Sequence, residues 1–255
     1  ISKRTSNKKG NKGKSLYNKN TIIIESVSKK YSIDKNLLLS LMGIETNFGN
    51  YLGKMDIISS LATLSFDKRR SDFFTSELII LLRLIDNKIL DSSTLYGSWA
   101  GAFGNFQFMP STIKNYAVDY DKDGKINLKQ TYDSFASAAN YLNKLGWINS
   151  NPCFFNITLK QNIPDKYLNI SAKKIHSTKK VKYLKKYIKN STFLDNYNNL
   201  NAAIITPDYE IVENPDKLLP AFIIFDNYKL ILKWNRSLRF ALAVCTLREK
   251  FNNVL

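Results

Sequence analysis

Apolar residues recur at three- and four-residue spacing over 22–31, 35–48, 71–87, 111–117 and 134–145, the period of helices with one packed face. After Trp147 the texture changes. Pro152, Pro164, Pro207, Pro215 and Pro220 interrupt the chain, and the short runs AAIIT and AFIIF are rich in β-branched and aromatic residues, which predicts strands. The stretch KKIHSTKKVKYLKKYIKN has apolar residues at helical spacing, so some helix is expected among those strands, and from Ser237 to Phe251 the helical period returns. Residues 1–20 are basic, glycine-bearing and nearly free of apolar positions, and read as a flexible arm. The pattern predicts a mainly α chain with a small β-containing region (α+β). Its expected parts are a helical core over 21–150 with a helical subdomain at about 55–96, a small α/β insertion at 151–232, and a C-terminal helix at 233–255 that rejoins the core.

One helix carries a carboxylate in an unusual place. In SIDKNLLLSLMGIETNFG, Asp34 is positioned to cap the start and Gly49 to end the helix. Leu38, Leu41, Glu45 and Phe48 then share one face, so Glu45 is expected to point toward the packed side. A carboxyl group held there is costly to ionise and keeps its proton near neutral pH, the property a general acid needs. A glutamate paired to a buried Arg, or capping a backbone, satisfies the same pattern.

Composition narrows the partners. Thirty-eight Lys and Arg against 21 Asp and Glu give a formal charge of +17, a surface suited to nucleic acid, anionic lipid or the acidic bacterial wall. A coding bias toward Lys, Asn, Ile and Tyr produces the same excess. Cys153 and Cys245 lack metal-type spacing, and because Cys245 lies in an apolar helical run, two buried free thiols are expected, with one disulfide as the alternative. No apolar stretch reaches the roughly 18 residues of a membrane span. The chain starts at Ile1 without an initiator Met, so loss of an upstream signal or anchoring segment is an expectation. His176 is the only histidine and sits in a Lys-rich stretch without a triad pattern, so a surface position is expected and Ser-His-Asp or Cys-His chemistry is disfavoured.

The segment GIETNFG closely resembles the glutamate motif of lysozyme-like lytic transglycosylases. The stretches MDIISSLATLSFDKRRSDFFTSEL, GSWAGAFGNFQFMPSTIKNYAVDYDKDGKIN, DSFASAANYLNKLGW and FDNYKLILKWNRSLRFALAV resemble the membrane-bound lytic murein transglycosylase B family specifically. This implies a lysozyme-like helical core with an EF-hand-like loop. It also implies that Ser98 and Gln107 line a saccharide groove beside Glu45, among the small residues Ala100, Gly101, Ala102 and Gly104 that allow close backbone approach. Tyr141, off the stripe of Phe135, Ala138, Ala139, Leu142 and Leu145, matches a groove-facing tyrosine. Asn235 matches an asparagine that contacts substrate, whereas Trp234 and Phe240 stand where the family has tyrosines and lack their hydroxyls.

Asp119, Asp121, Asp123 and Gly124 match the start of an EF-hand-like loop, with Lys125 offering its carbonyl. Gln130 occupies the usual closing position, and Asp133, where the family places an aspartate, is expected to close the loop instead. A structural Ca2+ or Na+ is the implied ion, with no cofactor for catalysis.

The resemblance implies cleavage of the MurNAc-GlcNAc β-1,4 bond of peptidoglycan with 1,6-anhydromuramic acid ends. Glu45 would be the only acid and base, helped by the substrate's acetamido group. Two rivals are a lysozyme-type hydrolase and a non-catalytic wall- or nucleic-acid-binding protein. The partner expected is the glycan strand rather than nucleic acid, the state a monomer, and the location the periplasm or cell envelope of a Gram-negative-type bacterium, membrane-anchored if a lost upstream segment supplied the anchor.

Overall fold

The computed structural model describes residues 2–208, 216–253 and 255; Pro215, one of the expected chain breakers, lies outside them. The chain divides into a helical unit, Ser2–Gly146 with Leu247–Leu255, and a sheet unit, Trp147–Thr246. The helical unit contains α1 (Asn7–Lys19), α2 (Thr21–Tyr31), α3 (Lys35–Thr46), α4 (Ile57–Ser65), α5 (Ser71–Asp86), α6 (Pro110–Tyr116) and α7 (Thr131–Leu145), with two short strands, β1 (Met55–Asp56) and β2 (Tyr96–Gly97). The sheet unit contains β3 (Phe154–Ile157), β4 (Leu168–Asn169), β5 (Lys179–Lys180), the single turn α8 (Val181–Leu184), β6 (Asn201–Ile205), β7 (Ala221–Phe225) and α9 (Asp226–Trp234). Helix α10 (Leu238–Asn252) begins in the sheet unit and ends in the helical one.

Helix α3 is the axis of the helical unit. Asp34 starts it as read from the sequence, its Oδ1 accepting the Asn36 N–H at 2.9 Å while Oδ2 receives Arg248 Nε of α10 at 2.7 Å. Leu37, Leu38, Leu39 and Leu41 are fully buried, each contributing roughly 1.5–3 kcal/mol of transfer free energy. The helix stops at Thr46, and Asn47, Phe48 and Gly49 follow in left-handed backbone, so the chain reverses at once.

The expected flexible arm is a correction: Asn7–Lys19 is helical. A close approach at one glycine explains why a segment without a hydrophobic stripe can pack. Gly10 and Gly13 are buried, and a Cβ on Gly13 would lie 2.2 Å from Cζ of Phe251 and 3.1 Å from Cε1 of Phe48, so only glycine admits those rings. Lys9 then extends to donate to the Gly43 carbonyl of α3 at 2.6 Å, and burial followed by the charges of Arg4 and Lys12 lowers its pKa.

In the sheet unit the strand order is β3-β7-β6-β4, and β5 pairs with β6 on the same edge as β4. Pairing is antiparallel except for β4 with β6. AAIIT and AFIIF form the central pair β6 and β7, and the inward residues Ala202, Ile204, Ile223 and Phe225 are buried with Val181, Leu184 and Ile188 of the basic stretch. The helix expected in that stretch shrinks to α8 and one 3-10 turn.

The expected free thiols are also corrected, because Cys153 and Cys245 form a disulfide with their Cα atoms 6.1 Å apart. Both cysteines are buried, as expected of thiols; what the sequence hid was that the chain folds back across a separation of 92 positions to bring them together. No described helix is long and apolar enough to cross a membrane.

Candidate active site

Every residue from Asn36 to Thr46 is buried except Glu45, which is half-buried. The expectation that Glu45 faces the packed side is revised: α3 is enclosed on all sides, and Glu45 marks where that enclosure opens. Its helical turn is held from behind. Thr46 Oγ1 donates to the Asn105 carbonyl at 2.9 Å and accepts the Gly49 N–H at 3.1 Å. Asn105, itself buried, sends its amide to the Lys129 carbonyl at 3.1 Å and to Ser134 Oγ at 3.0 Å. Thus the end of α3 and the start of α7 are joined through one residue, by its carbonyl on one side and its side-chain amide on the other, and nothing local in the sequence marks an asparagine as such a hub.

Gln107 sits at the tip of a tight hairpin closed by the Phe103–Phe108 bridge. Its φ of 51° is left-handed, a conformation that costs a non-glycine residue about 1 kcal/mol or more and persists where the surroundings impose it. The restraints are visible: Nε2 donates to the Gly104 carbonyl at 3.0 Å and to the Leu52 carbonyl at 3.3 Å. Ser98 occupies the turn after β2, its Oγ accepting the Ala102 N–H at 3.0 Å. That turn is pressed against the segment following α3, since a Cβ on Gly53 would stand 2.0 Å from the Gly97 carbonyl and 2.7 Å from the Ser98 nitrogen. Tyr141 of α7 is half-buried, stacked on Tyr116 at 4.3 Å and edge-on to Phe108 at 5.9 Å, and burial raises its phenol pKa. These contacts draw the segments bearing Glu45, Ser98, Gln107 and Tyr141 together. Trp99, 68% exposed, and Tyr51, 72% exposed, add two open rings on the same segments. They were not singled out from sequence, although aromatic residues in a glycine-rich stretch were a signal.

Two other carboxylates of the helical unit, Asp56 and Asp67, are engaged by backbone N–H groups. Asp56 caps α4 by accepting the Ser59 N–H at 2.7 Å, which holds its carboxyl below the usual range, and Asp67 accepts the Arg69 N–H at 3.1 Å. A further buried carboxylate, Glu77, accepts the Ser111 N–H at 2.8 Å and Ser111 Oγ at 2.6 Å and so caps α6.

The other expected residues belong to the sheet unit. Trp234 and Asn235 end α9 in the sheet unit and are half-buried. Phe240, expected at the saccharide surface, is 4% exposed and offers no open ring face, because as part of α10 it packs in the core. His176 is exposed, as expected.

Asp119, Asp121 and Asp133 present carboxylate oxygens within 4.8 Å of one another. Asp133, 2% exposed, accepts the N–H groups of Tyr120 and Asn127, both at 2.8 Å; burial, with Asp121 and Asp119 adding to it, raises its pKa. Asp119 accepts the N–H groups of Asp123 and Gly124, and Asp123 turns its Oδ1 to the Lys125 N–H and is outside the triad. Gln130 is exposed at the start of α7.

A family model described as a transglycosylase SLT domain matches residues 1–249. Over 119 residues the chain is 42% identical to membrane-bound lytic murein transglycosylase B of Escherichia coli (strain K12), which is 46% of this chain and 33% of that relative. Among solved structures, SltB3 from Pseudomonas aeruginosa in complex with NAG-NAM-pentapeptide superposes with a TM-score of 0.84 at 28% identity, covering 98% of this chain and 65% of SltB3. The same protein in complex with NAG-anhNAM-pentapeptide also matches at 0.84. The Escherichia coli lytic transglycosylase Slt35 in complex with calcium matches with a TM-score of 0.79 at 26% identity, covering 98% of this chain and 76% of that one. The chain therefore spans a third of the curated relative and just under two thirds of SltB3.

Proposed function

The chain belongs to the transglycosylase SLT domain family, and from that premise we propose that it cleaves the MurNAc-GlcNAc β-1,4 bond of peptidoglycan through Glu45 alone. The observation that carries this reading is a half-buried glutamate at the one opening of an otherwise enclosed helix, with the other nearby carboxylates engaged as caps. Most glycosidases need two carboxylates across the scissile bond. With one, a mechanism has to draw its second group from the substrate. Glu45 protonates the glycosidic oxygen while the muramoyl acetamido carbonyl stabilises the anomeric centre. The ionised Glu45 then takes the proton of the muramoyl C6 hydroxyl, whose oxygen closes the 1,6-anhydro ring. No water is consumed. Ser98 and Gln107 orient the sugar, the constrained backbone of Gln107 keeping its amide in place, and Tyr141 limits the ring's movement. We assign Trp234 and Asn235 to substrate contact as well, and leave Phe240 out. The complex of SltB3 with an anhydro sugar supports a product of this type.

The deciding experiment is a digest of purified peptidoglycan analysed by mass spectrometry. Anhydromuramic ends are expected; reducing ends, heavier by one water, would make the chain a hydrolase instead. Action on this substrate places the protein in the cell envelope.

For the acidic loop we propose a structural cation held by Asp119, Asp121 and Asp133. Three carboxylates this close, one of them buried, repel one another, and a hard cation with oxygen ligands offsets that repulsion. The calcium complex of Slt35 supports the choice of ion. Millimolar Ca2+ is expected to raise the melting temperature of chelator-treated protein by several degrees, and Asp133→Asn to abolish the rise. An equal response in that variant would remove Asp133 from the site.

A further inference from the structure

The sheet unit holds a polar groove that the chemistry of Glu45 does not use. It lies beside β3, at the end of the strand order, where residues 187–193 turn past it. Lys189 N–H donates to the Thr158 carbonyl and Lys160 N–H to the Tyr187 carbonyl, both at 2.9 Å, and the Leu159–Ile188 bridge fixes this pairing. Beyond it opens a cavity of about 430 Å³ lined by Asn156, Ile157, Thr158, Lys189, Asn190 and Phe193. Phe193 is 46% exposed, yet its ring does not hang free. It stands edge-on to Phe155 at 5.7 Å, which is braced in turn against buried Phe225 at 5.6 Å.

An open aromatic face fixed in advance, beside two exposed amides, suits a pyranose: ring C–H groups lie on the π face while the amides meet hydroxyl and acetamido groups. The charge selects among sugars. Residues 155–164 and 179–194 contain seven lysines and no Asp or Glu, and the acids that follow them, Asp165 and Asp195, are paired with Lys217 and Lys185. Because Val181, Leu184 and Ile188 are buried, the lysines between them, Lys182 and Lys186 among them, are turned outward or to the rim. We propose that this groove is a second saccharide site, which holds an acidic N-acetylated glycan strand while the helical unit cuts it. The proposal rests on the reading of peptidoglycan as substrate. It assigns the basic 173–189 stretch a role that a charge count alone does not.

The test uses the full chain carrying Glu45→Gln, so that bound glycan is not turned over, and follows co-sedimentation with purified sacculi. Phe193→Ala and Asn156→Ala are each expected to weaken binding roughly fivefold. Lys189→Gln is expected to weaken binding of a soluble muropeptide carrying free carboxylates more than binding of neutral chitotetraose. With Glu45 intact, Phe193→Ala should cut a short soluble glycan at the parent rate and raise KM on sacculi. Unchanged sacculus binding in both Phe193→Ala and Asn156→Ala overturns the proposal. So does a loss confined to Lys189→Gln, which would reduce the groove to a general anionic patch, or competition by anionic lipid vesicles that abolishes the Phe193-dependent binding. Failure of the parent to release anhydro ends is read separately from the digest, so the cleavage reading and the groove can fall independently.

Discussion

Glu45→Gln is expected to fold as the parent does and to lose glycan cleavage by a factor of about 10³ or more. The fold is preserved because Glu45 is the one position between Asn36 and Thr46 outside the packed interior, and glutamine has nearly the same shape. What holds the helix is elsewhere, in its buried leucines, the Asp34 cap with Arg248, and the Thr46–Asn105 bond. The activity is expected to go because an amide neither gives up nor takes a proton at neutral pH, and the proposed mechanism gives both steps to this one group. An enzyme with a second carboxylate retains part of its acid–base assistance after such a change; one whose Asp56, Asp67 and Glu77 are engaged in capping does not. Circular dichroism and thermal melting should match the parent, while chromatography of solubilised muropeptides should show almost none. Release at the parent rate would sink the assignment of Glu45.

Which features were legible in the chain follows from how local their causes are. The cap at Asp34 was readable because the residues that start a helix are neighbours in sequence, and the strands β6 and β7 were readable from their apolar β-branched runs. Glu45 was singled out from its spacing, but its orientation was misjudged. Spacing of three and four marks an inside only when a helix has an outside, and α3 is buried almost all round. The helix α1 was missed because its packing depends on the absent side chain at Gly13 and on the ring of Phe251 at the far end of the chain. Asn105 was missed for a similar reason: its bonds run to Thr46, Lys129 and Ser134, and no pattern in GNFQF announces them. Phe240 shows the opposite error, a position carried over by resemblance whose loss of a hydroxyl suits the buried place it occupies.

The disulfide gives the largest expected effect on stability. Closing a loop of 92 residues between Cys153 and Cys245 restricts the unfolded chain, and the chain-entropy relation puts this at about 4–5 kcal/mol. That is a large part of the 5–15 kcal/mol that holds a typical domain together. The double variant Cys153→Ala with Cys245→Ala is therefore expected to lower the melting temperature of the sheet unit by on the order of 15–40 °C. Reducing agent should do the same to the parent and nothing more to the variant. Calorimetry separates this from a general loss, because the sheet unit, which contains both cysteines, should melt earlier than in the parent by more than the helical unit does. Alanine leaves the small packing defect of a missing sulfur, which costs about 1–2 kcal/mol per site at most; a reductant-treated parent has no such defect and isolates the cross-link. If reduced and oxidised parent melt together, the link contributes nothing, and burial of two sulfur atoms is all that these positions supply. If they differ as expected, the sheet unit holds its fold best in an oxidising compartment, which is where an enzyme of the bacterial envelope would meet its substrate.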